Sequence, residues 1–328
     1  MKISIIIPVY NSSLTLKECL GAIFDSTFKN FEVIVVSDNS SDNSVDIAKE
    51  YQCKIIELPQ NRGPGFARNS GAFEATGDVL LFIDSDVIIE KEALNCLDSK
   101  FSDKEVNVIQ GIYSHEPKYK NIATQYQQSF YCYYSWHTSI KYTSSLITNC
   151  FAIRRKIFID LKGFNTNIKR ATSEDEEFGY VLINKGYKIL ILRELNGEHR
   201  INYNLKKLIK RNFAIYVDTI KSYLRNKTYV HKVKQTNYWQ VLIGIPLLGL
   251  IILGIAAIFL FPNKLVWFTF LSLNVIYILL HLGFIKFVTS TKGSTKAFGI
   301  IMLCYLDTFI MLTSILYGSL TYFFKKKY

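Results

Sequence analysis

The sequence predicts an α/β domain built on a mainly parallel sheet, followed by membrane-seeking helices. Three observations carry that expectation. Apolar, β-branched runs alternate with helical patterns through the first 200 residues, as βαβ units require. One of these runs, Val79-Leu80-Leu81-Phe82-Ile83, ends in Asp84-Ser85-Asp86. Five consecutive apolar residues read as a strand buried on both faces, and open α/β sheets gather ligands at the carboxyl ends of their strands. The last third of the chain holds three apolar runs, Trp239–Phe261, Leu265–Ile285 and Ala297–Phe324. Each is long enough to cross a hydrocarbon core about 30 Å thick, which takes about 20 helical residues.

The elements follow in order. Ile3–Val9 reads as a first strand that stops in Pro8-Val9-Tyr10-Asn11. Ser13–Ser26 carries apolar residues at helical spacing, with Thr15 and Glu18 placed for a capping box. Phe31–Val36 is a second buried strand running into the polar turn Ser37–Ser44. A helix over Val45–Tyr51 and a short strand over Lys54–Leu58 follow. Asn61–Gly71 is rich in Gly, Asn and Arg, and a helix is expected over Gly65–Ala75 ahead of the Val79–Ile83 strand. Further on, Tyr187–Arg193 reads as a strand and Phe178–Asn184 as an apolar helix behind the acidic stretch Thr172–Glu177. Asp38 and Asp84/Asp86, at the ends of two parallel strands, are expected over the same sheet edge. A D-x-D at such an edge suits a hard divalent cation held by oxygen ligands and by a substrate's phosphates.

Composition narrows the partners. The 328 residues carry a net charge of +12, concentrated between 200 and 237, where ten Lys/Arg face the single acid Asp218. Basic charge beside apolar spans points to anionic lipid headgroups, and no nucleic-acid motif accompanies it. Within that segment Leu205, Leu208, Ile209, Phe213, Tyr216, Val217, Ile220, Tyr223 and Leu224 form one helical stripe beside a Lys/Arg face. Such a helix suits the membrane interface; a helix packed on its own domain is the alternative. Asp307, inside the third apolar run, is expected to face protein or water rather than lipid. Met1-Lys2 leads straight into Ile3–Ile7 and Pro8, too short a run for a secretory h-region, so the large domain is expected in the cytosol. The six cysteines show no C-x-x-C spacing, which predicts neither a zinc site nor a disulfide framework. The expected organisation is a catalytic domain over 1–200, a basic amphipathic segment over 201–237 and transmembrane helices over 238–328. With the domain inside, Lys286, Lys292 and Lys296 obey the positive-inside rule and Lys325–Lys327 do not, so the third run is expected to tilt or re-enter.

Five blocks in order resemble the family-2 glycosyltransferases. They are Ser4–Asn11, Val35–Asp42, Asn61–Gly71, Asp84-Ser85-Asp86 and Ser173-Glu174-Asp175-Glu176-Glu177. The resemblance covers about residues 1–200 and implies the GT-A fold, a Rossmann-like nucleotide-sugar domain. It implies a UDP-sugar donor whose uracil bonds to Asp38, with Pro8, Val9, Tyr10 and Asn11 lining the same pocket and Asp84 and Ser85 on the ribose or sugar side. The second block departs from many relatives, which have a further acid before a Gly where this chain has Asn39-Ser40. Asp86 is implied as the direct ligand of Mn²⁺ or Mg²⁺ on the UDP diphosphate, with Asp84 beside it, and His199 as a downstream ligand. Asp175 is implied as the base that takes the acceptor's proton, with Glu174 placing it or touching the acceptor. For Arg68 two roles stand side by side, an approach to the diphosphate through its planar fork and a structural salt bridge. Trp136, amid Tyr131, Tyr133 and Tyr134, is either a stacking platform for sugar or lipid or part of the core.

These residues predict an inverting, metal-dependent transfer of a sugar to a membrane-associated acceptor, a polyprenyl-phosphate or lipid-linked glycan, by an integral membrane protein of a bacterial or archaeal plasma membrane. Two alternatives stand against it. A processive polysaccharide synthase would carry Gln-x-x-Arg-Trp, whereas no Arg precedes Trp136, Trp239 or Trp267. A non-catalytic membrane scaffold would need neither Asp86 nor Asp175.

Overall fold

The structure is a computed structural model that describes residues 1–114, 117–136, 141–143, 146–167, 174–225 and 239–324. Thr172, Ser173, Lys227, Lys232, Lys234 and Lys325–Lys327 lie outside the described residues, as does the side chain of Trp136. The chain divides into two compact units. The first joins Met1–Tyr119 to Ser135–Ile201, and the second joins Lys120–Tyr134 to Asn202–Tyr328.

The first unit opens with β1 (Ile3–Val9), α1 (Leu16–Phe24), β2 (Phe31–Ser37), α2 (Ser44–Lys49), β3 (Lys54–Glu57), α3 (Pro64–Phe73) and β4 (Val79–Ile83). The expected helices and strands here are present within a few residues. The capping box is not: Thr15 is the N-cap residue of α1, but its hydroxyl turns back to the Ser12 carbonyl and makes no cap bond. The unit continues with β5 (Val87–Ile89), α4 (Ala93–Phe101) and β6 (Val108–Tyr113). After the long helix α5 (Ile122–Trp136) come β7 (Tyr142–Thr143), β8 (Cys150–Arg154), α6 (Arg155–Asp160), α7 (Glu174–Asn184) and β9 (Ile189–His199). Among the described residues these strands form one sheet in the order β3-β2-β1-β4-β8-β6-β9-β5, with β7 also on β9.

The first four strands pair parallel, as the βαβ alternation predicted. Beyond β4 the sheet is mixed: β8 runs antiparallel to both β4 and β6, and β6 pairs parallel with β9. β9 runs to His199, six residues past the expected end, because its second half pairs antiparallel with β5. α7 starts at Glu174, so the acidic stretch forms the helix's first turn, where the helix dipole favours negative charge.

An aromatic cluster fixes β4 and α7 to one another. Phe82 stacks on Phe151 and meets Phe158 and Phe164, and Phe178 packs on Phe164 at 5.0 Å between ring centroids. Phe82 lies two residues before Asp84, and Phe178 lies three after Asp175. α3 lies tightly on β1 and β2 at Gly71, where an added Cβ would sit 2.6 Å from Ile6 Cγ2 and 3.0 Å from Val36 Cγ2. Gly71→Val is therefore expected to destabilise the protein by about 1–3 kcal/mol through overpacking, measured as a lowered denaturation midpoint with unchanged m.

The second unit holds α8 (Leu205–Arg225), α9 (Trp239–Leu260), α10 (Lys264–Leu280), α11 (Leu282–Lys292) and α12 (Ser294–Phe324), together with most of α5. The expectation of three transmembrane helices is corrected here. Among the described residues one helix, α12, is long and apolar enough to cross a membrane. The run Leu265–Ile285 breaks at His281, and α10 and α11 meet there at 63°, a second crossing only if the bent pair is one span. Of α9, the residues with described side chains, Gly244–Leu260, form a shorter apolar helix. Asp307 faces protein, as expected: only 6% exposed, it accepts hydrogen bonds from Tyr126 Oη, Asn212 Nδ2 and Tyr216 Oη, each at 2.8 Å. Part of the apolar stripe of α8 is spent inside the same unit, since Val217 and Ile220 lie against Gly318 of α12. Lys206, Lys207 and Lys210 stay exposed.

Candidate active site

The ends of β1, β2 and β4 are sewn together by side chains. Asn11 and Asn39 both adopt left-handed backbone, at φ 51° and φ 60°, a region Asn tolerates better than most residues. Asn11 Oδ1 accepts from the Ser41 N–H at 2.8 Å, Asp42 Oδ2 from the Ser13 N–H at 2.9 Å, and Ser85 Oγ donates to Ser12 Oγ at 2.8 Å. Burial alone would raise the Asp42 carboxyl, but the bonds from Ser44 and Ser13 outweigh it and hold it at about 2. Pro8 and Val9 close β1, and Tyr10 stands 55% exposed at its mouth.

Asp38 is buried at the end of β2 and spends both oxygens on backbone. Oδ1 accepts from the Arg62 N–H and Oδ2 from the Gly63 N–H, each at 2.8 Å. The carboxylate thus pins the entrance to α3, where Gly63 takes φ 90°. Each oxygen keeps a second lone pair, so a base N–H remains a possible partner.

Asp84 and Asp86 leave β4 in different directions. Asp84 Oδ1 accepts from Arg68 Nη2 at 2.7 Å, and Arg68 Nη1 donates to Glu174 Oε1 at 3.0 Å. Arg68 and Glu174 are both buried, while the Asp84 side chain keeps 32% exposure. Burial raises the Asp84 carboxyl above its ordinary range and Arg68 pulls against it. Of the two roles open to Arg68, the structure displays the salt bridge, and it is a double one.

Asp86 faces His199 instead, with Oδ2 at 3.3 Å from Nε2. The β5–β9 pairing sets Val87 opposite His199 and so brings the two together across 113 residues of chain. Tyr113 stacks on the imidazole at 4.7 Å between centroids and fixes its plane. Two neighbouring ligands on one octahedral ion of this size stand about 3 Å apart, so a carboxylate oxygen and a ring nitrogen at 3.3 Å fit a shared divalent cation. Among the described residues no group of three or more His, Cys, Asp or Glu forms around them. The remaining coordination positions would fall to water and substrate oxygens, the arrangement used where a metal meets a phosphate.

Asp175 follows Glu174 in the first turn of α7. Its Oδ1 accepts from the Glu176 N–H at 2.8 Å and its Oδ2 lies 3.4 Å from the Thr148 N–H. Burial, then the charges of Glu174 and Glu176, push this carboxyl well above the usual carboxylate range, with Arg68 opposing.

The structure thus joins the predicted residues as three groups: Asp38 with the α3 entrance, Asp84–Arg68–Glu174 with Asp175 beside it, and Asp86 with His199. Sequence reasoning missed Tyr113, the Thr148 amide and Asn69. Asn69 was legible in the Asn61–Gly71 block as a polar residue at helical spacing from Gly65; nothing local marks Tyr113 or Thr148.

The family description "Glycosyl transferase family 2" matches residues 4–162. The poly(ribitol-phosphate) β-glucosyltransferase of Bacillus spizizenii is 44% identical over 102 residues, 29% of this chain and 16% of that protein. The chain spans about half or less of the length of the curated relatives it matches. Among solved structures, the mannosyltransferase PcManGT of Pyrobaculum calidifontis, in complex with GDP-Man and Mn²⁺, aligns with 99% of this chain and 88% of its own at a TM-score of 0.57 and 15% identity. TarS 1–349 of Staphylococcus aureus, in complex with UDP-GlcNAc, aligns with 98% of this chain and 91% of its own at a TM-score of 0.50 and 19% identity. Both likenesses are of fold. Residues 4–162 of the chain therefore carry a glycosyl transferase family 2 domain.

Proposed function

We propose that this protein transfers a sugar, with inversion at the anomeric carbon, from a UDP-sugar to a membrane-associated acceptor, a polyprenyl-phosphate or lipid-linked glycan. The observation that carries the reading is a metal-suited pair, Asp86 and His199, in the same unit as a carboxylate of raised proton affinity, Asp175. On a glycan acceptor Asp175 takes the proton of the hydroxyl as its oxygen attacks the anomeric carbon; on a polyprenyl-phosphate the attacking atom is a phosphate oxygen, and Asp175 takes the proton that oxygen carries. The bond from that carbon to the diphosphate breaks in the same step and the nucleoside diphosphate leaves. A divalent cation at Asp86 and His199 would supply charge neutralisation for that leaving group. A single base opposite the leaving group gives one in-line displacement, hence inversion.

Support for the donor class comes from the neighbours, one a UDP-GlcNAc complex and the other a GDP-Man and Mn²⁺ complex. Fold therefore accommodates either base, and the choice of UDP rests on the resemblance around Asp38. The membrane reading rests on the second unit, where Leu253, Phe259, Phe261, Leu265 and Phe268 are exposed apolar side chains and α12 is long enough to cross. We take the first unit to lie at the cytosolic face.

The reading is tested by UDP release from the full chain in lipid nanodiscs. A panel of nucleotide sugars is offered with Mn²⁺ or Mg²⁺ and a polyprenyl-phosphate extract. Metal-dependent release that favours one donor is expected. Absence of UDP binding with either metal overturns the assignments of Asp38 and Asp86. UDP binding with no release of UDP from the donor in the presence of any lipid-linked acceptor overturns the acceptor class.

A further inference from the structure

One face of α3 reaches both the donor and the acceptor residues. Gly65, Arg68 and Asn69 stand at i, i+3 and i+4, and all three are buried. A Cβ on Gly65 would sit 3.4 Å from Phe164 Cβ and 3.6 Å from Glu174 Cγ, so the helix lies directly against these positions. Asn69 clamps Phe164, donating from Nδ2 to its carbonyl at 2.8 Å and accepting its N–H at 2.9 Å. Arg68 spends Nη2 on Asp84 of the β4 end and Nη1 on Glu174 of α7. The entrance to the same helix is held by the Asp38 carboxylate.

We propose that Arg68 is a positioning residue for sugar transfer: its guanidinium holds the end of β4 and the first turn of α7 at one separation, and so sets Asp175 against the donor half of the site. This rests on the base role proposed above for Asp175. The physical argument is the rigidity of the fork. Two carboxylates 16 and 106 residues away in sequence from Arg68 share one planar cation that is 3% exposed. Breaking either bond would leave a charge uncompensated in a buried setting, so the arrangement resists drift. The Nε–H is buried without a partner among the described residues, which makes a contact to a donor oxygen the competing role.

The experiment separates the two. Arg68→Met and Arg68→Lys are compared with the wild type in nanodiscs for kcat, donor KM and metal-dependent UDP binding. Positioning predicts that Arg68→Met lowers kcat roughly 100-fold, the cost of a misplacement of about 1 Å, with donor KM and UDP binding within threefold. Arg68→Lys keeps the charge, reaches one carboxylate at a time and is expected to recover part of that kcat. If Arg68→Met does not fold, the kcat loss of Arg68→Lys at unchanged donor KM decides the question. A rise in donor KM or a loss of UDP binding at unchanged kcat overturns positioning in favour of donor contact. Wild-type kcat in both variants overturns it outright. Asp175→Asn, run alongside, keeps the failures apart. A fully active Asp175→Asn overturns the base assignment and the positioning role with it, whereas an inactive one beside an unimpaired Arg68→Met overturns only the role of Arg68.

Discussion

Asp175→Asn is expected to remove sugar transfer, lowering kcat by about 10²–10⁴-fold, while metal-dependent UDP binding stays at wild-type strength. The amide keeps the shape of the carboxyl and its Oδ1 still accepts from the Glu176 N–H at 2.8 Å, while the Nδ2 that replaces Oδ2 gives up only the longer contact, 3.4 Å from the Thr148 N–H. What it loses is the ability to accept a proton. The same residue sets a pH dependence. A base works only when deprotonated, and burial with Glu174 and Glu176 alongside raises the proton affinity of Asp175. The rate is therefore expected to fall as the pH drops through a value above the ordinary carboxylate range, with full activity on the alkaline side of it. A kcat profile for the wild type and a calorimetric UDP titration of the variant check both statements. Wild-type turnover in Asp175→Asn would remove this residue from the reaction, and an acid limb at the ordinary carboxylate value would remove the raised proton affinity from the account.

How much of this was legible in the sequence follows from how local each feature is. β1, β2 and β4 are single apolar runs closed by turn residues, and both ends of β4 fall where the pattern put them. The Asp84/Asp86 pair was legible for the same reason, since two residues on one strand end need no knowledge of the rest. β9 was shortened because Glu194, Asn196, Gly197 and Glu198 break its apolar pattern; its second half is held by pairing with β5 and β6 rather than by propensity. The contacts that organise the site are non-local. Asp86 meets His199 and Arg68 meets Glu174 only after the sheet has closed, so their partnership came from resemblance in one case and was one of two open roles in the other. The long apolar run at 265–285 misled for a different reason. Hydropathy counts residues and does not register that His281 turns the chain, with its N–H directed to the Tyr277 and Ile278 carbonyls, so one expected span became two helices at 63°.

Asp86→Asn is expected to weaken Mn²⁺ binding, measured in the presence of UDP, by at least roughly 100-fold, and to lower kcat correspondingly. Outer partners of metal ligands already cost up to about that factor when removed, and Asp86 is read here as a direct ligand. The substitution keeps the size of the side chain and removes one negative charge beside the His199 ring, so little is left to attract a cation. Asp84→Asn provides the contrast. Asp84 is hydrogen-bonded to Arg68, so its loss is expected to leave Mn²⁺ affinity within a few-fold and to act on turnover through the Arg68 bridge. The donor set also orders the metals. An oxygen beside an imidazole nitrogen suits Mn²⁺ better than Mg²⁺, which prefers an all-oxygen shell and sheds water reluctantly. Half-maximal activity is therefore expected at a lower concentration of Mn²⁺ than of Mg²⁺. Titration of Mn²⁺ followed by electron paramagnetic resonance reads the affinity without depending on turnover. Unchanged Mn²⁺ binding in Asp86→Asn, or equal losses in Asp84→Asn and Asp86→Asn, would move the cation away from the β4–β9 corner and leave the Asp86–His199 contact as an ordinary polar pair.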